Sequence, residues 1–209
     1  MLFVGRKSEK KKIIESLNDG KNIILGGKFG IGRTSIIKEI AKTLSNERKF
    51  IFVDFSQTPG KMSEKLMKEL GLSTRLNNRD KKMSYKSMRY RIPQSKSPKQ
   101  QLPIIVLDNI AKVTIQKIIF LRHLILEQHF QFIAIVEKFL PQKDLFELKA
   151  QFIPFAILTL GHLKTNDVEK LLHNYSEKYH LNWMSNYTHK LALLSDGYPL
   201  GLVEMLRKE

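Results

Sequence analysis

The chain has 209 residues, a formal net charge of +16, a hydrophobic fraction of 42% and no cysteine. These values allow a sizeable core and exclude both disulfides and cysteine-ligated zinc. The longest apolar runs are about ten residues, too short to cross a bilayer, and no secretory leader is evident. Composition therefore predicts a soluble, cytoplasmic protein with a polyanionic partner, nucleic acid before membrane.

Short apolar runs alternate with amphipathic stretches over the first 160 residues. Buried strands are predicted over 22–25, 49–55, 102–108, 131–136 and 154–160. Helices are predicted over 8–18, 35–44, 61–71 and 112–127. Because each strand is apolar on both faces, we expect an α/β fold with a parallel sheet covered by helices on both sides.

The pattern changes to helices alone after Leu160. Helices are predicted over 166–179, 185–195 and 200–208, the first starting from a capping box of Asn166 and Glu169. The sequence therefore predicts two domains, an α/β domain over 1–160 and a helical domain over 161–209.

Residues 75–100 lack apolar periodicity and hold nine basic residues and one acid, which is half of the net charge. Tyr85 and Tyr90 lie between the basic residues, a composition that suits phosphate contacts with occasional base stacking. We expect an irregular basic insert that contacts nucleic acid; the alternative is a solvated, disordered loop. The candidate contact residues are Arg75, Arg79, Lys81, Lys82, Lys86, Arg89, Arg91, Lys96 and Lys99.

Residues 27–34 read GKFGIGRT, between a predicted buried strand and an amphipathic helix. Glycines let such a loop curl so that its N–H groups point at an anion, and the helix N-terminus adds to the field. The pattern G-x-x-x-x-G-K-[ST] fits Gly27, Gly32 and Thr34, with Gly30 as a further flexible point and Arg33 in place of lysine. This stretch predicts a phosphate-binding loop; the alternative is a glycine-rich turn without a ligand.

Arg33 and Thr34 have distinct expected roles in this loop. Thr34 would offer its hydroxyl to Mg²⁺, and Arg33 would reach the β- and γ-phosphates. Arginine keeps the positive charge of lysine but replaces a compact ammonium with a broad planar fork. We therefore expect phosphate binding to survive and transition-state geometry to suffer.

The predicted third strand ends in Asp108, followed by Asn109. An acid at this place has the type and position that hold Mg²⁺ through water; the alternative is a helix N-cap after the strand. Hydrolysis in many such sites also needs an adjacent acid, and the amide of Asn109 is a very poor base.

Five motifs in the order of the chain resemble the AAA+/STAND superfamily of P-loop ATPases, particularly the archaeal-type ATPases and the initiator-like DNA-binding ATPases. They occupy 3–14 (FVGRKSEKKKII), 27–34 (GKFGIGRT), 104–109 (IIVLDN), 158–172 (LTLGHLKTNDVEKLL) and 195–206 (SDGYPLGLVEML). The resemblance implies a P-loop NTPase fold with a five-stranded parallel sheet and a small C-terminal helical lid. It also implies ATP or ADP, with Mg²⁺, as cofactors.

The resemblance places the cofactor among three groups of residues. The opening motif lies against the adenine, the loop holds the phosphates, and the lid closes over both. The implied nucleotide-binding residues are Val4, Gly5, Arg6, Gly27, Gly30, Ile31, Gly32, Arg33, Thr34, Ser35 and Pro199, and the implied metal-binding residues are Thr34 and Asp108.

The chain departs from the family at several catalytic positions. Besides Arg33 and Asn109, Glu137 stands where a polar sensor residue is common. Lys149 is the nearest basic residue to the position of the arginine finger, and no arginine follows Gly197. Because phosphoryl transfer depends on positioned charge from all of these parts, we expect a nucleotide binder that hydrolyses slowly or not at all.

The expected function is a module that couples binding of ATP or ADP to assembly on DNA rather than RNA, in replication initiation or mobile-element maintenance. The resemblance admits a homo- or hetero-oligomer. Two alternatives remain. One is a nucleotide-free scaffold or signalling protein in which a collapsed loop pairs Arg33 with Asp108, and the other is an active ATPase that tolerates Arg33.

Overall fold

A computed structural model describes residues 3–75, 82–95 and 102–207. Five strands form one sheet in the order β2-β3-β4-β1-β5, and all of their pairings are parallel. The strands are β1 (Asn22–Gly27), β2 (Phe50–Asp54), β3 (Ile104–Ile110), β4 (Gln131–Val136) and β5 (Phe155–Leu160). The five predicted strands and their parallel arrangement are confirmed.

Nine helices occur within the described ranges. They are α1 (Lys7–Asn18), α2 (Arg33–Thr43), α3 (Pro59–Glu69), α4 (Tyr85–Arg91), α5 (Ile115–Leu126), α6 (Gln142–Gln151), α7 (Thr165–Tyr179), α8 (Ser185–Leu194) and α9 (Pro199–Leu206). Sequence analysis missed α4 and α6. The predicted capping box is wrong, because α7 begins one residue before Asn166 and its N-cap, Lys164, makes no side-chain cap. None of these helices is long and apolar enough to span a bilayer.

The apolar character of both strand faces is explained by two core clusters, one on each side of the sheet. Along β3, Ile105 and Leu107 belong to one cluster and Ile104 and Val106 to the other, because successive side chains of a strand point to opposite faces. The sheet is thereby fixed from both sides, and the carboxyl ends of its strands form one rigid edge.

The sequence suggested that the basic segment 75–100 is irregular, but part of it forms helix α4. Ser84 caps α4 by accepting a hydrogen bond from the N–H of Ser87, and Met88 and Ile92 lie in the same core cluster as β2 and β3. The prediction failed because two buried apolar residues four apart give little periodicity among many charges. Four of the nine basic candidates, Arg79, Lys81, Lys96 and Lys99, lie outside the described residues.

The C-terminal helices pack around a third core cluster that is separate from the two clusters of the sheet. It is built from Val168, Leu172, Ala192, Leu202 and Leu206. This separate core is compatible with the predicted helical domain over 161–209, and the boundary itself stays a prediction.

The turn between α8 and α9 requires glycine at position 197. Gly197 has φ +67°, and a Cβ atom there would lie 2.1 Å from the carbonyl oxygen of Leu163. Gly71 has nearly the same backbone conformation, φ +71°, with nothing within 4 Å of its Cβ position.

We predict that Gly197→Ala lowers the free energy of unfolding more than Gly71→Ala does. Both variants pay about 1 kcal/mol for a left-handed alanine, and only the first adds a backbone clash, worth roughly 2 kcal/mol more. Urea denaturation of the two variants measures the difference. Equal destabilisation would contradict the described packing of this turn.

Candidate functional site

The loop 27–34 joins β1 to α2 at the carboxyl edge of the sheet. It turns through Gly30 at φ +71° and Gly32 at φ +92°. The N-cap of α2 is Gly32, and because glycine has no side chain, no side chain caps this helix. The first N–H groups of an α-helix have no partner within the helix, so this end of α2 favours an anion.

Arg33, the residue in the usual lysine position, is turned away from the loop and toward the end of β4. Its Nη2 atom lies 2.7 Å from Oε2 of Glu137, and its Nη1 atom donates to the carbonyl oxygen of Val136. The side chains are only 7% and 14% exposed, respectively. The guanidinium thus forms a buried, hydrogen-bonded ion pair inside the protein.

This pair connects two departures that the sequence presented separately. A buried guanidinium needs a carboxylate, because a buried charge without a partner is strongly destabilising. Glu137, in the sensor position, supplies that carboxylate. The alternative pairing of Arg33 with Asp108 is not what the structure shows. The role of Arg33 in contacting phosphates stays a prediction, and it would require this pair to open.

Thr34 and Asp108, the two residues expected to hold a metal, are brought together. The Thr34 hydroxyl lies 2.9 Å and 3.2 Å from the two carboxylate oxygens of Asp108. Both groups offer oxygen ligands, which Mg²⁺ prefers. The donor set beside the N-terminus of α2 fits a phosphate-bound magnesium ion.

Asp54 is a further acidic residue at this edge that sequence reasoning missed. It ends β2 directly beside Asp108 in the sheet register, and its Oδ1 atom lies 3.3 Å from Nδ2 of Asn109. Burial raises the pKa of Asp54, but hydrogen bonds from Ser56, Asn109 and Gln57 outweigh that effect and hold its pKa below the usual range. The predicted strand 49–55 carried the signal, since it has an aspartate near its end just as the Asp108 strand does.

A cavity of about 190 Å³ lies between the loop and the C-terminal helices. Its walls come from the N-terminal segment, the loop, and apolar side chains of α7 and α9. The predicted residues that line it are Val4, Arg6, Gly30, Ile31, Gly32, Ser35 and Pro199. They are joined by Phe3, Leu163, Leu171, Leu200, Leu202 and Val203, which sequence analysis did not name. The predicted residues Gly5, Gly27, Arg33 and Thr34 are not among its lining residues.

Arg6 lines this cavity, and its guanidinium is hydrogen-bonded to the surrounding backbone. Its Nη2 atom donates to the carbonyl oxygens of Ile31 at 2.9 Å and Gly161 at 2.8 Å. Burial lowers the pKa of Arg6, and the nearby Glu9 partly offsets that effect. The side chain therefore fixes the N-terminal segment, the loop and the end of β5 in one arrangement.

The C-terminal helices contact the loop directly. The Tyr198 hydroxyl donates to the carbonyl oxygen of Phe29 at 2.6 Å. A Cβ atom at Gly30 would lie 2.6 Å from Cβ of Leu200, so only glycine permits this approach. The start of α9 is therefore positioned as a cover over the loop.

The described basic candidates lie around α4, which packs on α3 and α5. Lys82 is paired with Glu64 at 2.7 Å, and Arg91 contacts the sulfur of Met83. Lys86 is exposed, and Arg89 lies against two tyrosine rings. The backbone of Arg75 pairs with that of Lys82 in an isolated antiparallel β-bridge. The structure thus gives these residues different surroundings, and their contact with nucleic acid stays a prediction.

Comparisons with known proteins agree with this geometry. Residues 7–182 match the model of the KAP family P-loop domain. A search of curated protein sequences yields no match. Among solved structures, the chain is similar to Orc1 of Aeropyrum pernix in complex with DNA, with 16% identity, a TM-score of 0.69, and coverage of 99% of this chain and 59% of that one.

Two further solved structures show the same fold. Cdc6p of Pyrobaculum aerophilum has 9% identity and a TM-score of 0.64, with coverage of 90% of this chain and 54% of that one. The RuvB Holliday junction branch migration motor of Thermotoga maritima has 15% identity and a TM-score of 0.63, with coverage of 98% and 61%. This chain thus spans about three-fifths or less of each of these proteins. The fold is that of the AAA+-type P-loop ATPases.

We predict that Glu137→Gln lowers the free energy of unfolding by about 3 kcal/mol, because it leaves the buried Arg33 without a counter-charge. Urea denaturation measures the loss. Glu127→Gln, at an exposed position, is the matched control and should change stability by less than about 0.5 kcal/mol. The double variant Arg33→Met/Glu137→Leu should be more stable than Glu137→Gln, since it removes both charges. A single variant as stable as its control would contradict the ion pair.

Proposed function

The chain belongs to the KAP family of P-loop domains, and from this premise we propose that it binds ATP or ADP with Mg²⁺ and hydrolyses ATP slowly or not at all. The observation that carries the proposal is the apolar cavity between the loop and α9, directly beside the uncapped N-terminus of α2. A nucleotide needs both parts, an apolar slot for its base and N–H donors for its phosphates.

In this proposal the base lies between Val4 and the apolar residues of α9, with Pro199 closing the cavity. The phosphates lie along the loop toward Ser35. The contact between Tyr198 and the loop supports this arrangement, because a ligand held there would touch both the loop and the lid. Bound nucleotide would therefore fix the lid relative to the sheet.

Thr34 and Asp108 would hold the magnesium ion, and Asp54 adds negative charge at the same edge. When bound, Mg²⁺ neutralises phosphate charge and orients the phosphate oxygens. The residues of this chain supply oxygen donors of the kind that Mg²⁺ requires.

Slow or absent hydrolysis follows from the position of Arg33. A lysine in this place would offer its charge to the β- and γ-phosphates, whereas the guanidinium is balanced by the Glu137 carboxylate. Asn109 cannot act as an effective base, and its side chain is engaged with Asp54. Charge stabilisation and water activation are thus both weakened, and phosphoryl transfer depends on both.

We further propose that nucleotide binding is coupled to assembly on DNA, as a homo- or hetero-oligomer, in replication initiation or mobile-element maintenance. The net charge of +16 and the basic residues on α4 support a polyanionic partner. The similarity to an Orc1 protein in complex with DNA supports DNA over RNA. Membership of the STAND type of P-loop ATPases is part of the same proposal.

One alternative function is favoured by a specific observation. The Arg33–Glu137 pair also suits a nucleotide-free scaffold, whose fold persists without a ligand. An active ATPase would instead require the pair to open and release Arg33 toward phosphate. Binding and turnover measurements separate the three functions.

We predict that the wild-type protein binds a fluorescent ATP analogue and that Val203→Phe weakens binding at least tenfold, because the added ring fills the cavity. Tenfold corresponds to about 1.4 kcal/mol of binding free energy. Leu194→Phe, at an exposed position on α8, is the matched control and should bind as the wild type does. Thr34→Ala should remove the effect of Mg²⁺ on affinity. Negligible binding by the wild type and by a Gly32→Asp variant alike would overturn nucleotide binding and favour the scaffold.

We predict that Arg33→Lys/Glu137→Asn hydrolyses ATP at least tenfold faster than the wild type, because it frees a compact cation for the phosphates. The single variant Arg33→Lys should gain less, since lysine can still pair with Glu137. Phosphate release in single-turnover and steady-state assays measures both rates. The matched control adds Asp108→Ala, which should abolish the gain. A wild-type rate equal to that of the double variant and lost in Asp108→Ala would establish the active ATPase.

A further inference from the structure

A second cleft, of about 360 Å³, lies between the start of α3 and the helices α4 and α5. It shares no lining residue with the cavity at the phosphate loop. Its lining residues are Thr58, Pro59, Gly60, Tyr85, Arg89, Gln116 and Ile119. The nucleotide proposal makes no use of this cleft.

Arg89 lines this cleft and has one buried donor atom without an acceptor among the described residues. Its Nε atom is buried without a hydrogen-bond partner, the one side-chain atom of this kind in the described part of the chain. The guanidinium also makes no ion pair with any carboxylate in the described ranges. By contrast, Arg6, Arg33 and Arg48 all donate to carbonyl or carboxylate oxygens. Arg89 is thus a partly buried cation with one buried N–H donor that no described residue satisfies.

Two aromatic rings hold the guanidinium in place. Its central carbon lies 5.6 Å from the ring centre of Tyr85 and 5.4 Å from that of Tyr90. Such contacts stabilise a cation and orient its plane, but they satisfy none of its N–H donors. Leaving a buried donor without an acceptor is unfavourable, so an anion that accepts from the fork would complete the arrangement.

The surroundings indicate which kind of anion fits. The amide of Gln116 lines the same cleft, and the first turn of α3 on the opposite wall favours negative charge. Tyr90 lies beside the guanidinium next to this cleft and is 51% exposed, and its ring also makes a T-shaped contact with His123 at 5.3 Å. Phosphate beside an aromatic platform is the repeating unit that a single-stranded nucleic acid requires.

We propose that this cleft binds a phosphodiester group of single-stranded nucleic acid, with the planar fork of Arg89 donating to the phosphate oxygens and Tyr90 stacking on a neighbouring base. The inference rests on the nucleic-acid part of the proposed function and names its contact site. It assigns the main contribution to Arg89, whereas Lys82 is neutralised by Glu64.

The test is fluorescence anisotropy of a labelled single-stranded DNA oligonucleotide with the wild type, Arg89→Gln and Lys12→Gln. The two variants remove the same charge, and Lys12 is exposed on α1. We expect Arg89→Gln to weaken binding at least tenfold. We also expect it to reduce the slope of log K against log salt concentration by about one, which corresponds to the loss of one phosphate contact. Lys12→Gln should weaken binding less than threefold. Tyr90→Leu should also weaken binding, without changing the salt dependence.

A second readout reports whether Arg89 is merely structural. Without DNA, Arg89→Gln should unfold at the same temperature as the wild type or a few degrees higher, because it removes a partly buried charge without a partner. A rise of about 2–4 °C would correspond to about 1 kcal/mol in a chain of this size. A fall of that size would identify Arg89 as a packing residue and would overturn the proposal.

The remaining outcomes are distinct. If the wild type binds the oligonucleotide and Arg89→Gln weakens binding no more than Lys12→Gln, the inference is wrong and the nucleic-acid function stands. If the wild type binds vesicles containing phosphatidylserine and not the oligonucleotide, the nucleic-acid function and the inference both fail. Titration with the ATP analogue should be the same for all three proteins, so a failure of the nucleotide proposal is detected separately.

Discussion

The buried ion pair between Arg33 and Glu137 is the constraint on which the candidate site depends. An arginine at the start of α2, facing the end of β4, must be neutralised because its side chain is 7% exposed. Once Glu137 provides that carboxylate, the end of β4 is fixed to the start of α2, and the carbonyl oxygen of Val136 adds to the attachment. The two departures at the lysine position and at the sensor position, Arg33 and Glu137, thus form one buried ion pair.

In the proposed function, the same pair separates binding of a nucleotide from its hydrolysis. Binding draws on features that the pair leaves intact, namely the N–H groups of α2, the oxygens of Thr34 and Asp108, and the cavity beneath α9. Hydrolysis draws on free positive charge and a base, and Arg33 and Asn109 are both engaged with acidic partners. The proposed slow hydrolysis follows if differential stabilisation of the transition state is weakened more than ground-state binding.

The parts of the fold that follow from local pattern were predictable, and those that depend on contacts between distant segments were not. Thr34 and Asp108 were expected to share a metal because their motifs resemble those of the family, and they meet because both follow strands that end at one edge of the sheet. Arg33 and Glu137 are 104 positions apart, and no periodicity reports that their side chains meet. Helix α4 escaped notice because its burial rests on few apolar residues, such as Met88, within a charged segment.

The proposed metal position and the cleft of Arg89 are joined by a short piece of chain. Asp54 accepts from Asn109 beside the proposed metal position, and Thr58, four residues later, walls the cleft of Arg89. The backbone between them is tied at Phe55, whose N–H donates to the carbonyl oxygen of Asp108 at 2.8 Å, and at Ser56, whose N–H donates to Asp54. Coupling between two ligands requires an element whose position both ligands affect. Residues 54–58 lead from the proposed metal position to the cleft of Arg89, so under both proposals a nucleotide that shifts Asp108 would act on that cleft through five residues of chain.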